Sequence, residues 1–248
     1  MLPFLRLGPF TVQAPGLALL VGVWLGSSLA EKEAVKLKLN PNDIYNLIFY
    51  SLIAGVIGAR LGYAMQYPRA FLESPLSLLA LTPNTLSPEI GLAVGIIVAA
   101  LFGRRKKLLL RPTLDAVAPS LAAVMIAFAI AHFLSGDAFG APTKLPWAIY
   151  LWDEHRHPSQ VYETLAAIII FIIVRRRPFG QPGDGANFLL LVALSAGARI
   201  FLEAFRGDSV IWIGGLRSAQ VMGLVVLAAS LWLMRQWSQS APTVEAAS

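Results

Sequence analysis

Long apolar stretches alternate with short polar connections along most of the chain. Seven of these stretches reach or approach the roughly 17–25 residues that a helix needs to cross a bilayer. They lie near positions 14–30, 45–66, 88–103, 114–135, 159–174, 185–205 and 215–234, of which the third and fifth are short. The pattern predicts an all-α fold, a polytopic membrane bundle of about seven transmembrane helices.

The two ends of the chain differ from this pattern. Residues 1–16, MLPFLRLGPFTVQAPG, lack a signal-peptide pattern and predict a short interfacial lead-in. We expect one transmembrane domain over residues 1–236 and a polar, disordered tail over 237–248. Residues 72–87 are a candidate interfacial helix, and the tryptophans and tyrosine of 136–158 favour the membrane–water interface.

Composition agrees with a membrane protein. Charged residues make up 14% of the chain and hydrophobic residues 56%, whereas soluble proteins carry about 25% charged residues. There is no cysteine, so disulfides, thiolate metal sites and a cysteine nucleophile on the protein are excluded. No metal-ligand spacing, phosphate-binding loop or dinucleotide motif is present, and no cofactor is expected. The net charge of +6 indicates basic loops beside anionic lipid heads, so the expected partner is a lipid bilayer rather than a nucleic acid.

Basic residues concentrate in alternate connections, and this orients the bundle. Cytoplasmic loops of membrane proteins carry the excess of Lys and Arg, so the pattern places the N-terminus outside and the C-terminus in the cytoplasm. The alternation of basic loops also supports the count of seven helices, since a missed helix would place basic loops on both sides of the membrane. Pro and Gly residues predict a tight cytoplasmic connection over 178–185. The basic residues of the cytoplasmic side are Lys32, Lys36, Lys38, Arg104, Arg105, Lys106, Lys107, Arg111, Arg175, Arg176, Arg177 and Arg235.

Ionisable groups inside an apolar bundle are costly, so each is a functional candidate. Arg60 lies among glycines in GVIGARLGYAM, with Tyr63 three residues later on the same helix face. Two interpretations are open: Arg60 holds an anionic lipid headgroup, or it snorkels beside a glycine packing seam.

A second candidate lies in HRHPSQVYE, where a helix starts after Pro158. Gln160 and Glu163 are three residues apart and share a face, and His157 lies just before them. These groups either bind a polar substrate or, for Glu163, cap the first helical turn.

The third candidate is ARIFLEAFR. Arg199 and Glu203 have the i,i+4 spacing of a direct ion pair, and Arg206 follows three residues later. A neutral pair is tolerable where a lone charge is not. The pair either fixes helix packing or orients a guanidinium that binds phosphate with two hydrogen bonds.

Two weaker candidates remain. Arg217 and Gln220 begin the last helix in GLRSAQVMG, and His132 lies near the outer end of the fourth helix, five residues before Asp137. A histidine there is either a packing residue or a base. Together, several basic groups at the outer half of the bundle suggest a phospholipid headgroup site.

These motifs, in this order, resemble the phosphatidylglycerol–prolipoprotein diacylglyceryl transferase family over most of the chain. The resemblance rests on LGPFTVQAPGL, GARLGYA, PWAIY followed by HPSQVYE, GDG before FL, ARIFLEAFR and RSAQV, of which HPSQVYE is the most specific. It implies a bacterial cytoplasmic-membrane enzyme that moves the diacylglyceryl group of phosphatidylglycerol to the lipobox cysteine of a preprolipoprotein signal peptide. The nucleophile belongs to the substrate, which suits a chain without cysteine.

The resemblance also implies site residues. Positions that match the family are Arg60, Gln160, Glu163, Arg199, Glu203 and Arg206, and Gly136 in FLSGDAFG stands at the family's signature glycine. We expect Arg199, Glu203 and His132 to be catalytic. Substrate binding is expected of Arg60, Tyr63, Gly136, His157, Gln160, Glu163, Arg206 and Gln220.

The chain departs from the family pattern at several signature positions. Pro15 and Ser195 stand where the family has tyrosines, Ile90 where it has a histidine, Ala129 where it has an arginine, and His132 where it has an asparagine. One hypothesis is an active transferase in which His132 serves as the thiol base. Another is a lipid- or lipoprotein-precursor-binding protein without catalysis. A solute transporter is a third, although the inverted repeats of that class are not found.

Overall fold

The computed structural model describes residues 4–7, 10–73, 77, 85–178, 180–212, 215 and 217–239. Helices dominate these residues, so the predicted all-helical class is confirmed. The helices are α1 (Ala14–Lys36), α2 (Pro41–Gln66), α3 (Pro68–Glu73), α4 (Pro88–Arg105), α5 (Leu110–Ser135), α6 (Ser159–Arg176), α7 (Ala186–Leu202) and α8 (Ser218–Gln239). Each of the seven predicted apolar segments coincides with one long helix.

Five of these helices are long and apolar enough to cross a membrane, namely α1, α2, α5, α8 and α7 with its continuation to Phe205. Helices α4 and α6 are each 18 residues long and carry three charged residues. A polytopic helical membrane protein is therefore supported. The count of seven spans and the outward N-terminus stay predictions.

Apolar side chains cover the outside of the long helices. Leu20, Trp24, Ile57 and Leu224 are all more than half exposed. In water such a surface would drive association, but in a bilayer it faces acyl chains while the helices satisfy their own backbone hydrogen bonds. The burial pattern thus agrees with the hydropathy pattern.

Two short antiparallel hairpins accompany the helices. β1 (Phe4–Leu7) pairs with β2 (Phe10–Gln13), so the predicted interfacial lead-in contains a hairpin. β3 (Ile149–Leu151) pairs with β4 (Glu154–Arg156) inside the predicted aromatic loop. Trp152 and Asp153 connect them with φ values of 55° and 62°, as expected for a tight hairpin turn. Most of the candidate interfacial helix at 72–87, and the tail from residue 240, lie outside the described residues.

The chain forms two compact units. One is Lys38–Leu110 and the other joins Met1–Leu37 to Arg111–Ser248. In the smaller unit α2 packs against α4 through glycines: a Cβ on Gly58 would lie within 2.7–3.0 Å of the Val94 side chain. Small residues permit this close approach of two apolar helices. Asp43 and Lys106 form an ion pair at 3.0 Å between the start of α2 and the residue after α4.

The core of the larger unit lies where α5, α6 and α7 meet. Ala118 and Ala122 of α5, Ile170 and Val174 of α6 and Leu191 of α7 form its buried cluster. Two alanines one turn apart let the neighbouring helices approach closely, which fixes the relative position of the three helices.

A buried aspartate holds the start of α7. Asp115 of α5 is 1% exposed, and its carboxylate accepts hydrogen bonds at 3.1 Å from the backbone N–H groups of Gly183, Gly185 and Phe188. The first N–H groups of a helix lack partners within the helix and favour a negative charge. Gly183 and Gly185 have φ values of 88° and 85°, so the predicted tight connection is built on left-handed glycines.

A second buried carboxylate joins α1 to the end of α6. Glu33 is 3% exposed and pairs with Lys36 at 2.7 Å, Arg175 at 2.9 Å and Arg177 at 2.6 Å. The basic residues at the end of α6 indicate topology in the sequence. Two of them, Arg175 and Arg177, also hold α1 in place.

We expect Asp115→Ala to destabilise the protein by about 3 kcal/mol, because it leaves one buried and two partly buried N–H groups without an acceptor. Thermal unfolding in detergent measures this loss. Asp115→Asn, which keeps one oxygen, should lose less. Glu89→Ala removes an exposed carboxylate and should change stability by no more than about 0.5 kcal/mol. Equal melting temperatures for Asp115→Ala and Glu89→Ala would contradict the assigned role.

Candidate functional site

A cavity of about 340 Å³ opens among α5, α6 and α7 in the larger unit. We call it the site cavity. Most of its polar residues cluster at one end of the three helices: His132 near the end of α5, Ser159 and Glu163 at the start of α6, and Arg199 near the end of α7. The wall also contains Tyr162, Ser195 and Arg206, and its apolar residues are Met125, Phe128, Ala166, Ala167, Ile170, Ala198 and Leu202.

Two of the candidate residues form a pair across the site cavity. His132 Nδ1 lies 3.0 Å from Glu163 Oε2, and about a third of each side chain is exposed. A carboxylate partner makes Nδ1 the protonated nitrogen of a neutral imidazole, which leaves Nε2 as an acceptor. The sequence suggested each residue separately, and the fold brings them together.

Arg199 and Glu203 make the contact that their spacing suggested. Arg199 Nη2 lies 3.1 Å from Glu203 Oε2, with 43% of the arginine side chain exposed and only 2% of the glutamate. Glu203 Oε2 has no aligned hydrogen bond among the described residues, so the contact is chiefly electrostatic. A single carboxylate engages only part of a guanidinium that carries five N–H donors.

Arg206 completes the cationic side of the site cavity. It follows the single 3₁₀ turn Glu203–Phe205 that ends α7. Its Nε and Nη2 bind the two Asp208 carboxylate oxygens at 2.9 and 2.6 Å, a bidentate arrangement that fixes the guanidinium plane. The positive charges of Arg206 and Arg199 both act on Glu163. Glu163 of α6 therefore shares one electrostatic environment with two arginines at the end of α7.

The first residues of α8 support this arrangement. Arg217 donates hydrogen bonds to the backbone carbonyls of Glu203 and Arg206 and, at 2.9 Å, to Ser209 Oγ. Gln220 Nε2 donates to the Ile200 carbonyl at 3.2 Å, one of the last carbonyls of α7. Gln220 lies outside the cavity wall, so its contact is with the helix end that carries Arg199.

Three other predicted residues hold the loop between α5 and α6. Gln160 is fully buried and donates to the Asp137 carbonyl at 2.9 Å. Gly136 has a φ of 85° and its carbonyl accepts from Trp152 Nε1 at 3.4 Å. The His157 ring packs at 5.3 Å from the Phe205 ring. None of these three residues lines the site cavity.

Tyr162 is a cavity residue that the sequence analysis did not single out. Its hydroxyl accepts a hydrogen bond from Trp147 Nε1 at 2.8 Å, and its ring packs against Phe205 at 5.7 Å. Helical spacing could have identified it, since Ser159, Tyr162 and Glu163 occupy positions i, i+3 and i+4 of one face. Trp147 lies in the long loop, so only the tertiary structure reveals its partner.

Arg60 and Tyr63 belong to the smaller unit. The Arg60 guanidinium donates to the carbonyls of Thr85 and Ser77 and lies 5.0 Å from the centre of the Phe71 ring. The Tyr63 ring contacts Tyr67 at 4.7 Å. Arg60 thus binds backbone carbonyls within its own unit, and its role in binding a headgroup stays a prediction.

Residues that depart from the family pattern have structural contacts of their own. Pro15 opens the first turn of α1, a position that suits proline. The Ile90 side chain occupies the space beside Gly62, where a Cβ would lie within 2.6–2.8 Å of it. Ala129 is fully buried, and Ser195 Oγ donates to the Leu191 carbonyl at 2.7 Å. Of the five, His132 alone forms an ion pair among the described residues.

Comparison with known proteins identifies the family. The family model described as prolipoprotein diacylglyceryl transferase matches residues 3–236. The phosphatidylglycerol–prolipoprotein diacylglyceryl transferase of Bordetella parapertussis is 31% identical over 92% of this chain and 93% of its own. The proteins of the same name from Bordetella avium and Thermosynechococcus vestitus are 33% and 30% identical, over 88% and 96% of this chain and 86% and 93% of their own. With a match over nearly its whole length, this chain belongs to the prolipoprotein diacylglyceryl transferase family of enzymes.

Proposed function

We propose that this protein transfers the diacylglyceryl group of phosphatidylglycerol to the lipobox cysteine thiol of a preprolipoprotein signal peptide. One observation carries the proposal: a single, largely apolar cavity brings two guanidinium groups, Arg199 and Arg206, to the same end as the His132–Glu163 pair. Transfer of a diacylglyceryl group from a phospholipid to a thiol needs these components, namely an anion site, a base and a surface for acyl chains. The names of the relatives support the same reaction.

The arginines bind the phosphate of the lipid. Glu203 holds Arg199 by one edge, and Asp208 holds Arg206 in a fixed plane, so both guanidinium groups are oriented before the lipid arrives. As the bond between the glycerol carbon and the phosphate oxygen breaks, negative charge grows on the departing glycerol phosphate. Fixed positive charges in a site of low dielectric stabilise that charge with little reorganisation.

His132 acts as the general base for the substrate thiol. A cysteine thiol has a pKa of about 8.5, so most of it is protonated at neutral pH. His132 Nε2 takes the S–H proton while Glu163 holds the imidazole through Nδ1 and stabilises its positive charge. The thiolate attacks the glycerol carbon, a C–S bond forms, the C–O bond to phosphate breaks, and glycerol phosphate leaves.

The size of the site cavity indicates which part of the lipid it holds. Its volume of about 340 Å³ lies at the lower end of the range of small-molecule sites. The cavity accommodates the glycerol-phosphate region, and the acyl chains continue along Met125, Phe128 and Ile170 toward the bilayer.

The remaining predicted residues have supporting roles in this proposal. Gly136, His157 and Gln160 hold the loop that precedes Glu163, and Gln220 holds the end of α7 that carries Arg199. Arg60 and Tyr63 bind lipid headgroup in the smaller unit. The enzyme acts in the bacterial cytoplasmic membrane, with residues 1–236 as one functional domain and the N-terminus outside.

Arg199→Ala should lower the rate of diacylglyceryl transfer about 100-fold, because one fixed donor group to the developing charge is lost. The measurement uses purified protein in phosphatidylglycerol liposomes with a lipobox peptide, and detects the thioether by mass spectrometry. Arg199→Lys should recover only part of the activity, since an ammonium cannot bind phosphate bidentately.

Arg176→Ala is the matched control, since it removes an exposed arginine that has no ion pair among the described residues. It should keep wild-type activity. Absence of thioether from the wild-type protein at high concentration, with lipid and peptide still bound, would instead favour the non-catalytic binding protein.

His132→Ala should lower the transfer rate by about 100-fold, the lower end of the effect of a general base. The rate is measured with the same liposome and lipobox-peptide assay. His155→Ala removes an exposed histidine outside the cavity wall and should keep the wild-type rate. Unaltered turnover in His132→Ala would exclude the proposed base.

A further inference from the structure

A second concavity, with a volume of about 690 Å³, runs between α1 and α5. We call it the α1–α5 groove. Its residues on α5, such as Ile126, Ile130 and Leu134, point about 180° away from Met125, Phe128 and His132, which line the site cavity. The groove and the site cavity therefore lie on opposite sides of α5.

Small residues form the floor of the groove where the two helices come closest. A Cβ on Gly22 would lie 2.2 Å from the Ala127 Cβ, and both residues line the groove. Leu25, Leu29 and Ile126 form apolar walls above this floor. The apolar surface suits hydrocarbon chains and offers little to a polar solute.

One end of the groove is polar and positively charged. Lys32 and Ser28, one helical turn apart, line it there. No carboxylate within the described residues forms an ion pair with Lys32. The neighbouring Glu33 instead pairs with Lys36, Arg175 and Arg177. The groove thus combines an apolar length with an exposed cation at its end.

We propose that the α1–α5 groove binds an anionic phospholipid of the bilayer, with its phosphate at Lys32 and its acyl chains along the groove. The length of the groove agrees with this assignment. On α1 the groove runs from Ala14 to Lys32. The ten residues of helix from Lys32 to Gly22 span about 15 Å, half of the roughly 30 Å hydrocarbon thickness, so the acyl chains of a lipid in one leaflet lie along the half of the groove nearest Lys32.

Charge argues against a signal peptide as the occupant. Signal peptides carry a positively charged segment before their apolar core, which Lys32 would repel. A phosphate complements Lys32, and acyl chains adapt to a narrow groove.

This site is separate from the proposed transfer reaction, so labelling rather than turnover provides its test. The full-length protein is reconstituted in nanodiscs that contain phosphatidylglycerol with a photoactivatable acyl chain, and adducts are mapped by peptide mass spectrometry. We expect adducts on α1 between Gly22 and Lys32 and on α5 between Ala123 and Ala127. A matched phosphatidylcholine probe should label these residues less.

Lys32→Ala should lower the groove adducts about fivefold, the loss expected for one basic residue near an anionic lipid. Lys32→Arg should restore them. Lys144→Ala removes an exposed lysine outside the groove and should have no effect. Ala123→Phe, which fills the groove, should also reduce labelling, whereas Leu121→Phe on an exposed position of the same helix should not.

Equal labelling by the two lipid probes, or unchanged labelling in Lys32→Ala, would overturn the proposal. Arg199→Ala separates the two functions, since it should lose thioether formation and keep the groove adducts. Failure of the transferase assay therefore leaves the labelling result valid. Failure of the labelling experiment likewise leaves the transferase result valid.

Discussion

A charge inside an apolar helix bundle needs a compensating partner, because neither lipid nor packed hydrocarbon can solvate it. In the larger unit this requirement sets the positions of the helices. Glu33 binds cations from α1 and the end of α6, and Asp115 binds the backbone N–H groups at the start of α7. Each pairing connects elements that are distant in sequence. Many of the buried apolar residues are alanines. The hydrogen bonds and ion pairs of Glu33 and Asp115 therefore define which helix ends meet.

The same requirement produces the site. The end of α5, the start of α6 and the end of α7 meet at one level, and each brings an ionisable residue there. His132 compensates Glu163, and Arg199 compensates Glu203. About a third of each side chain in the first pair, and 43% of Arg199 in the second, stay exposed. We propose that this network, which compensates buried charge, also binds an anionic headgroup.

Helix α5 separates two surfaces with different chemistry. The site cavity carries two guanidinium groups and a histidine–carboxylate pair, while the α1–α5 groove is apolar with a single lysine at its end. This difference follows from the helical period, since positions 125, 128 and 132 face one side and positions 126, 130 and 134 face the other. The proposed reaction site and the proposed lipid site therefore share no residue of this helix.

The sequence by itself determined the helical class, the approximate bounds of the seven long helices and the Arg199–Glu203 contact, because hydrophobic period and i,i+4 spacing are local properties. It also suggested most of the polar residues of the site. Only the tertiary structure decided that His132 meets Glu163, that Tyr162 meets Trp147, and that Gln160 supports a loop instead of lining the cavity. These contacts join separate helices and loops, and their partners depend on how helices pack. That packing follows from burial and charge compensation across the whole unit, which no local pattern records.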